Sequence, residues 1–196
     1  MRATEWKRLT KPVLDDSWRL SKALAYRVPV GWVLHGLLAE DSQANNPDFY
    51  LWMVRMSLVV PADVIDLSWS ERFGDSSRVF EPGTTSTHEA LAQAAKLVSE
   101  QAATGELLVD PPGGADNVHM QEARAYGLLL SGNAGGAIEV LGRVLRYEPR
   151  YAWEQDLVQR AEEMQTLLEE DRDEEAVHRL EGWRSESLTA LGITPE

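Results

Sequence analysis

The run from Phe49 to Val60 is the most apolar stretch of this chain, and it constrains the fold more than any other segment. Side chains on a β-strand alternate between two faces, and here apolar side chains fall on both of them. Such a pattern is typical of a central strand that is covered on two sides. The run therefore predicts a sheet with a buried central strand, on which Tyr50 and Trp52 share one face.

Two further segments are predicted as strands beside it. Residues 30–38 are rich in β-branched and aromatic side chains, and residues 64–70 alternate between apolar and polar ones. Loop-forming residues at 41–47 and a short turn at 61–63 join these segments. Because short connections favour antiparallel neighbours, the sequence predicts a three-stranded antiparallel meander over residues 30–38, 49–60 and 64–70.

A helix is predicted before the sheet, over residues 13–25. Asp15 and Asp16 stand where negative charge complements the positive end of a helix dipole. Trp18 and Leu24 are among the apolar positions that fit a helical period.

A second helix is predicted over residues 86–104, after a loop rich in Gly, Ser, Thr and Pro. Ser86 and Glu89 fit a capping box, in which the first side chain caps the helix and the second bonds back to it. Residues 107–109 are predicted as one more short strand. The Pro and Gly residues that follow predict a linker at 111–116.

The chain beyond the linker is predicted to be helical throughout. Apolar residues recur at helical spacing in four segments, at about 117–131, 134–147, 151–169 and 173–191. Gly132 and Gly192 occupy positions typical of C-cap glycines, and Pro149 stops the second of these helices. The predicted fold class is α+β: a small antiparallel sheet packed with helices over 1–110, followed by an antiparallel helical bundle over 117–196.

Within this bundle, residues 118–149 carry small, apolar and turn-forming residues at a recurring spacing. The positions are Ala125, Leu128, Gly132, Ala137, Leu141, Val144 and Pro149. This spacing resembles a tetratricopeptide repeat, in which two helices form an antiparallel hairpin. Gln121 and Val144 depart from the family pattern, which has a large aromatic residue and a small residue there. The resemblance implies a bundle of such hairpins, and a peptide-binding groove usually takes three or more of them.

Composition restricts the functions that the chain can have. The net charge is -13, and residues 111–196 alone carry 17 acidic and 8 basic residues. Such a charge repels phosphate backbones, so general nucleic-acid binding is not expected. No apolar run reaches the roughly 18 residues that span a bilayer, and the first residues show no apolar leader. Arg outnumbers Lys 15 to 4, which indicates a GC-rich bacterial gene, and we expect a cytoplasmic protein that does not bind membranes.

No catalytic or cofactor-binding motif is recognised in the sequence. The chain has no Cys, which excludes a thiolate metal site and a cysteine nucleophile, and it has no P-loop, GxGxxG or GxSxG motif. His35 lies in a predicted strand, where a hydrogen-bonded core histidine is favoured over a catalytic base. Tyr50 and Trp52 are candidates to line a ligand pocket, although a core position is favoured for both. We therefore expect no catalytic residue and no cofactor.

Two pairs of His and Glu stand three residues apart on predicted helices. They are His119 with Glu122, and Glu175 with His178. Two Glu-x-x-His pairs hold di-iron centres in helical bundles, but here one pair is reversed and the other begins in a solvated acidic run. No metal site is therefore expected.

The function expected from these features is non-catalytic protein–protein interaction, of an adaptor or toxin-neutralising type, with a basic protein as partner. The acidic surface is expected on the last two helices, with Glu154 as one member. Its predicted partner-binding residues are Glu162, Glu163, Glu169 and Glu170, which share a face if the helix continues to about residue 170. The alternatives are a solvated helix exterior, a small-molecule-binding module and a hydrolytic enzyme without recognisable motifs.

Overall fold

The computed structural model describes residues 1–42, 47–75, 77–105 and 117–196, and these residues form two compact units. The sheet unit comprises Met1–Met56, Val64–Glu106 and Leu191–Glu196. The helical unit comprises Ser57–Asp63 and Leu107–Ala190. Each unit therefore draws on segments that are distant in sequence. Three predictions lie outside the described residues. They are the strand at 107–109, the linker at 111–116 and the domain boundary between these two segments.

The sheet unit is built on five antiparallel strands that follow one another across the sheet in chain order. They are β1 (Trp18–Ser21), β2 (Leu24–Arg27), β3 (Val33–Asp41), β4 (Phe49–Ser57) and β5 (Glu71–Arg72). The unit also contains the helices α1 (Ala3–Thr10) and α2 (Thr85–Ala103). The predicted α+β class is confirmed, although the sheet has five strands instead of the predicted three.

The prediction of a helix over residues 13–25 is wrong, because this segment forms a turn and then the hairpin of β1 and β2. Asp15 Oδ1 accepts a hydrogen bond of 2.8 Å from the Ser17 N–H, which closes a turn directly before β1. Lys22 has a φ of 54° in the tight turn between the two strands. The apolar spacing suits a helix equally well, but pairing with β3 buries Leu24 opposite Leu38.

The strand predicted over residues 64–70 is also wrong, because the paired segment is the two-residue β5 that follows it. The Ser68 N–H and Oγ both bind Asp66 Oδ1, at 2.8 and 2.6 Å. Such local bonds give the backbone an alternative to a β-ladder. The other two predicted strands are present with shifted ends, since β3 covers 33–41 and β4 ends at residue 57.

The core of the sheet unit joins α1, α2 and one face of the strands. Its buried side chains include Trp6, Leu9, Leu37, Phe49, Leu51, Leu91, Ala94 and Val98. On the opposite face of β4, Val54 and Met56 are buried whereas Tyr50 and Trp52 are half-buried. The two-sided burial predicted for this strand therefore holds only in its middle, at Met53 and Val54, because Arg55 and Ser57 on the core face are half-buried.

Helix α2 confirms the helix predicted over residues 86–104, with a different N-cap. The cap is Thr84, whose Oγ1 accepts a hydrogen bond of 3.2 Å from the Thr87 N–H. The predicted capping box of Ser86 and Glu89 is wrong, because the helix has already begun before Ser86.

The helical unit confirms the four helices predicted beyond the linker. They are α3 (Val118–Leu130), α4 (Ala134–Val144), α5 (Ala152–Glu169) and α6 (Asp173–Leu191). Gly132 and Gly192 have φ of 80° and 65°, as C-cap glycines do. Residues 58–60 are buried in this unit, where the Ala62 N–H donates a hydrogen bond of 3.0 Å to Ser187 Oγ of α6.

Candidate functional site

The carboxylates predicted to bind a partner lie at the end of α5. Glu162 is exposed, and Glu163 is half-buried and forms an ion pair with Arg179 of α6. Glu169 is exposed and accepts a hydrogen bond of 2.6 Å from Gln165 Nε2. Two of these three carboxylates are therefore already engaged within the chain.

The fourth carboxylate, Glu170, directly follows α5 and pairs with Arg172 at 2.6 Å. Arg172 also binds both carboxylate oxygens of Glu175, at 2.9 and 2.7 Å. Glu175 and Glu170 together raise the pKa of the Arg172 guanidinium. The predicted acidic face is thus partly neutralised by arginine.

Glu154 does not belong to the acidic surface, contrary to the prediction, because its carboxylate is buried at the start of α5. It accepts hydrogen bonds of 2.6 Å from the Tyr147 hydroxyl, 2.6 Å from the Arg150 N–H and 3.0 Å from the Tyr151 N–H. The Tyr147 bond is the largest cause of a lowered Glu154 pKa, and the backbone bonds add to it. Glu154 is a helix cap, which fixes how the chain enters α5.

A different set of carboxylates surrounds a cleft between the α3–α4 turn and the start of α6, here named the acidic cleft. It has a volume of about 490 Å³ and is lined by Leu129, Gly132, Ala134, Asp173, Glu174, Val177, His178 and Glu181. Its lining combines apolar side chains with three carboxylates, and the described lining residues include neither Lys nor Arg. The acidic cleft thus pairs negative charge with an apolar floor.

The spacing along α6 explains why these carboxylates meet. Residues three or four apart share a helix face, which places Asp173, Val177 and Glu181 in one row and Glu174 with His178 beside it. Acidic residues also suit the first turn of α6, because they complement the positive end of the helix dipole. Across from them, the positive φ of Gly132 lets α4 turn back on α3.

A second cleft lies between α5 and α6 and shares His178 with the first. It has a volume of about 430 Å³ and is lined by Glu163, Leu167, Arg172, Glu175, His178, Arg179, Gly182, Trp183 and Glu186. Glu163 and Glu175 are paired here with Arg179 and Arg172. This cleft therefore has a mixed charge, unlike the acidic cleft.

A buried ion pair joins two helices of the same unit. Glu122 of α3 is fully buried, and its carboxylate oxygens accept hydrogen bonds of 2.8 and 3.0 Å from the guanidinium of Arg160 on α5. The Tyr126 hydroxyl donates a third hydrogen bond, of 3.2 Å, to the same carboxylate. The ring centroids of Tyr126 and Trp183 lie 5.6 Å apart. Burial raises the pKa of Glu122, and the Arg160 charge opposes this effect.

The same contacts bear on the His and Glu pairs considered as metal ligands. Glu122 is bound by Arg160, and Glu175 is bound by Arg172. Over residues 1–42, 47–75, 77–105 and 117–196, no three His, Asp or Glu side chains gather as metal ligands would.

Tyr50 and Trp52, considered as pocket or core residues, surround a guanidinium on the half-buried sheet face. The Arg72 guanidinium carbon lies 4.1 Å from the Tyr50 ring centroid and 4.9 Å from that of Trp52. Glu40 accepts hydrogen bonds of 2.8 Å from Trp52 Nε1 and 3.2 Å from Arg72 Nη2. The four side chains bind one another and connect β3, β4 and β5.

His35 lies within β3 and is 9% exposed. Burial lowers its pKa to about 4, and the nearby charge of Arg55 contributes to the shift. The ring is therefore neutral at pH 7, as a core histidine is. The expected hydrogen bond is lacking at Nδ1, which has no partner among the described residues.

None of the described helices is both long and apolar enough to cross a membrane. Comparison with protein-family models, curated proteins and solved structures gives no match to this chain.

Proposed function

We propose that this protein is a non-catalytic interaction protein whose acidic cleft receives a basic segment of a protein partner. The observation that carries the proposal is the cleft lining, in which Asp173, Glu174 and Glu181 surround an apolar floor. An adaptor or a toxin-neutralising protein of a bacterial cytoplasm is the kind of molecule that this arrangement suits.

Two physical features of the acidic cleft support a basic partner. Carboxylates at its rim attract a positively charged partner over a distance and raise the association rate. Lys and Arg carry long aliphatic stems, which pack on apolar surface while their charged ends remain at the edge. Leu129 and Val177 offer that apolar surface, and Glu181 and its neighbours offer the charge.

The tetratricopeptide-like hairpin of α3 and α4 is part of this proposal. Its turn contributes Leu129, Gly132 and Ala134 to the acidic cleft, and α6 contributes the carboxylates. A binding surface of this kind uses two elements of the helical unit and does not require a groove of several repeats.

The α5 carboxylates Glu162, Glu163, Glu169 and Glu170 have a secondary role in this proposal. Their charges add to the field around the helical unit, but Glu163 and Glu170 are paired with arginines. We therefore expect these four residues to influence the association rate more than the lifetime of the complex.

The test begins with pull-down of the partner from a bacterial lysate at low and high salt. Capture is then compared for the wild type and for the cleft variant Asp173→Asn/Glu174→Gln/Glu181→Gln. We expect the cleft variant to bind the identified partner at least about tenfold more weakly, with a smaller dependence on salt.

A matched control removes three exposed carboxylates from the sheet unit, in Glu81→Gln/Glu89→Gln/Glu100→Gln. The control changes the net charge equally and should retain capture. The variant Glu162→Gln/Glu163→Gln/Glu169→Gln/Glu170→Gln tests the α5 face in the same assay. Unchanged binding by the folded cleft variant would contradict the proposal, and loss only in the α5 variant would move the site to α5.

A further inference from the structure

The sheet unit contains two polar side chains, one buried and one half-buried, that the proposed function does not use. His35 on β3 is 9% exposed, and its Nδ1 atom is buried without a hydrogen-bond partner among the described residues. Buried polar atoms of side chains nearly always have a partner, because each unmet hydrogen bond costs free energy. The Nδ1 atom of His35 is therefore available for a hydrogen bond to a bound group.

Arg55 on β4 shows the same feature with a full positive charge. Its side chain is half-buried, its Nε is buried, and its guanidinium forms no hydrogen bond or ion pair with any described residue. The hydrogen bonds of Arg55 to Ser70 involve its backbone, because its N–H donates to Ser70 Oγ at 3.1 Å and its carbonyl accepts from the same hydroxyl at 3.3 Å. A partly buried guanidinium without a carboxylate is unusual in a chain with 32 acidic residues.

The strand pairing brings these two residues together. β3 and β4 are neighbours in the sheet, and the Ser42 N–H donates a hydrogen bond of 3.0 Å to the Asp48 carbonyl at their joined ends. Counting seven residues back from Ser42 and seven forward from Asp48 leads to His35 and Arg55. An unbroken antiparallel ladder therefore places the two side chains opposite each other on one face.

We propose that His35 and Arg55 form a binding site for an oxyanion, either a phosphate group or a carboxylate of a small molecule. A guanidinium offers parallel N–H donors at the spacing of two oxyanion oxygens. The neutral imidazole of His35 can place a proton on Nδ1 and donate one more hydrogen bond. An anion at this position would neutralise Arg55 and give both orphaned nitrogens an acceptor.

This site is independent of the acidic cleft. Its ligand is negative whereas the partner proposed for the cleft is positive, and its residues belong to the sheet unit. Each proposal therefore stands or fails without the other.

The test is a titration of the full chain with inorganic phosphate and, in a separate arm, with acetate. Ionic strength is held constant with NaCl at pH 7.5, and the readouts are the side-chain nitrogen resonances of His35 by NMR and the melting temperature. We expect the His35 resonances to shift saturably and the melting temperature to rise in at least one arm. A response to phosphate alone assigns a phosphate ligand, and a response to acetate assigns a carboxylate as well.

Variants separate this site from general ion effects. Arg55→Met should weaken anion binding at least tenfold, and Arg55→Lys should bind the anion with intermediate strength. Arg8→Met is the control and should bind the anion as the wild type does, because Arg8 is an exposed arginine of α1. If Arg55→Met fails to fold, the proposal is tested by the His35 resonances of the wild type and by anion binding to Arg55→Lys. The proposal is overturned if neither anion shifts His35 saturably, in which case water satisfies the pair, or if folded Arg55→Met responds as the wild type does.

Discussion

Removing Arg160 should destabilise the helical unit far more than removing the charge of its partner, Glu122. The reason lies in their unequal burial, since the Glu122 side chain is fully buried whereas that of Arg160 is 20% exposed. In Arg160→Met, the carboxylate loses two hydrogen bonds and its counter-charge, and among the described residues the Tyr126 hydroxyl is the donor that remains. Leaving an unpaired charge in a protein interior costs about 3–5 kcal/mol.

The opposite variant, Glu122→Gln, leaves a neutral amide that still accepts the bond from Tyr126. Arg160 can then turn its charged end to water, because part of it is already exposed. We expect a loss of about 1–2 kcal/mol. The double variant Glu122→Leu/Arg160→Met removes both charges and should lie within about 1–2 kcal/mol of the wild type, since apolar replacement of buried ion pairs is often nearly neutral.

Urea unfolding at pH 7.5, followed by circular dichroism, measures these free energies, and hydrogen exchange of α3 and α5 amides localises the effect. The loss in Arg160→Met should also shrink as the pH falls. An unpaired buried carboxylate has a folded-state pKa above its unfolded value, so the penalty is present above that pKa and is relieved as the carboxylate takes up a proton. Equal losses in Arg160→Met and Glu122→Gln, or a loss below about 1 kcal/mol in Arg160→Met, would refute this account of the pair.

Three further predictions concern the sheet unit. The pKa of His35 is lowered to about 4, so unfolded chains bind a proton between pH 7.5 and 5 that folded chains do not. Over this range the free energy of unfolding of the wild type should therefore fall by about 2 kcal/mol relative to that of His35→Gln. Equal dependence of the two unfolding free energies on pH would contradict this prediction. Trp52→Ala should lower the free energy of unfolding in urea by about 1–2 kcal/mol, because Trp52 is half-buried. Phe49→Ala should lower it by about 3–5 kcal/mol, because Phe49 is fully buried. The reverse order would show that Trp52 is a core residue. Thr84→Ala should cost about 1 kcal/mol through loss of the α2 cap, and a larger loss in Ser86→Ala would restore the capping box predicted from sequence.

The helices of the helical unit could be predicted because their determinants are local. Each has an apolar stripe of helical period, and Gly132 ends α3 through a backbone conformation that few other residues adopt. Those signals lie within a few residues of one another. They do not depend on which distant segment the helix contacts.

The strands depended on information that a local pattern does not hold. Residues 18–25 have apolar side chains that suit a helix or a hairpin, and the choice is made by pairing with β3, which lies further along the chain. A local signal for the loops does exist, because an Asp accepts hydrogen bonds from a Ser two residues later in three turns. These turns are Asp15–Ser17, Asp66–Ser68 and Asp75–Ser77.

A count of acidic residues predicted part of the candidate site. An excess of acidic residues in the last helices follows from the sequence, but the contacts decide which carboxylates remain available to a partner. Glu154 is used as a helix cap, Glu122 is buried against Arg160, and Glu163 is paired with Arg179. Asp173 and Glu174 instead line a cleft whose described lining residues include no arginine.

The two proposed sites follow from one rule applied to charges of opposite sign. A charged side chain is stabilised most when a partner of opposite charge lies beside it, as Arg160 does beside the buried Glu122. The carboxylates of the acidic cleft are not neutralised by arginine within the cleft, and the guanidinium of Arg55 has no carboxylate among the described residues. The negative site is open and surrounds an apolar floor, which suits the side chains of a protein segment. The positive site lies between two strands beside the neutral ring of His35, which suits a small oxyanion.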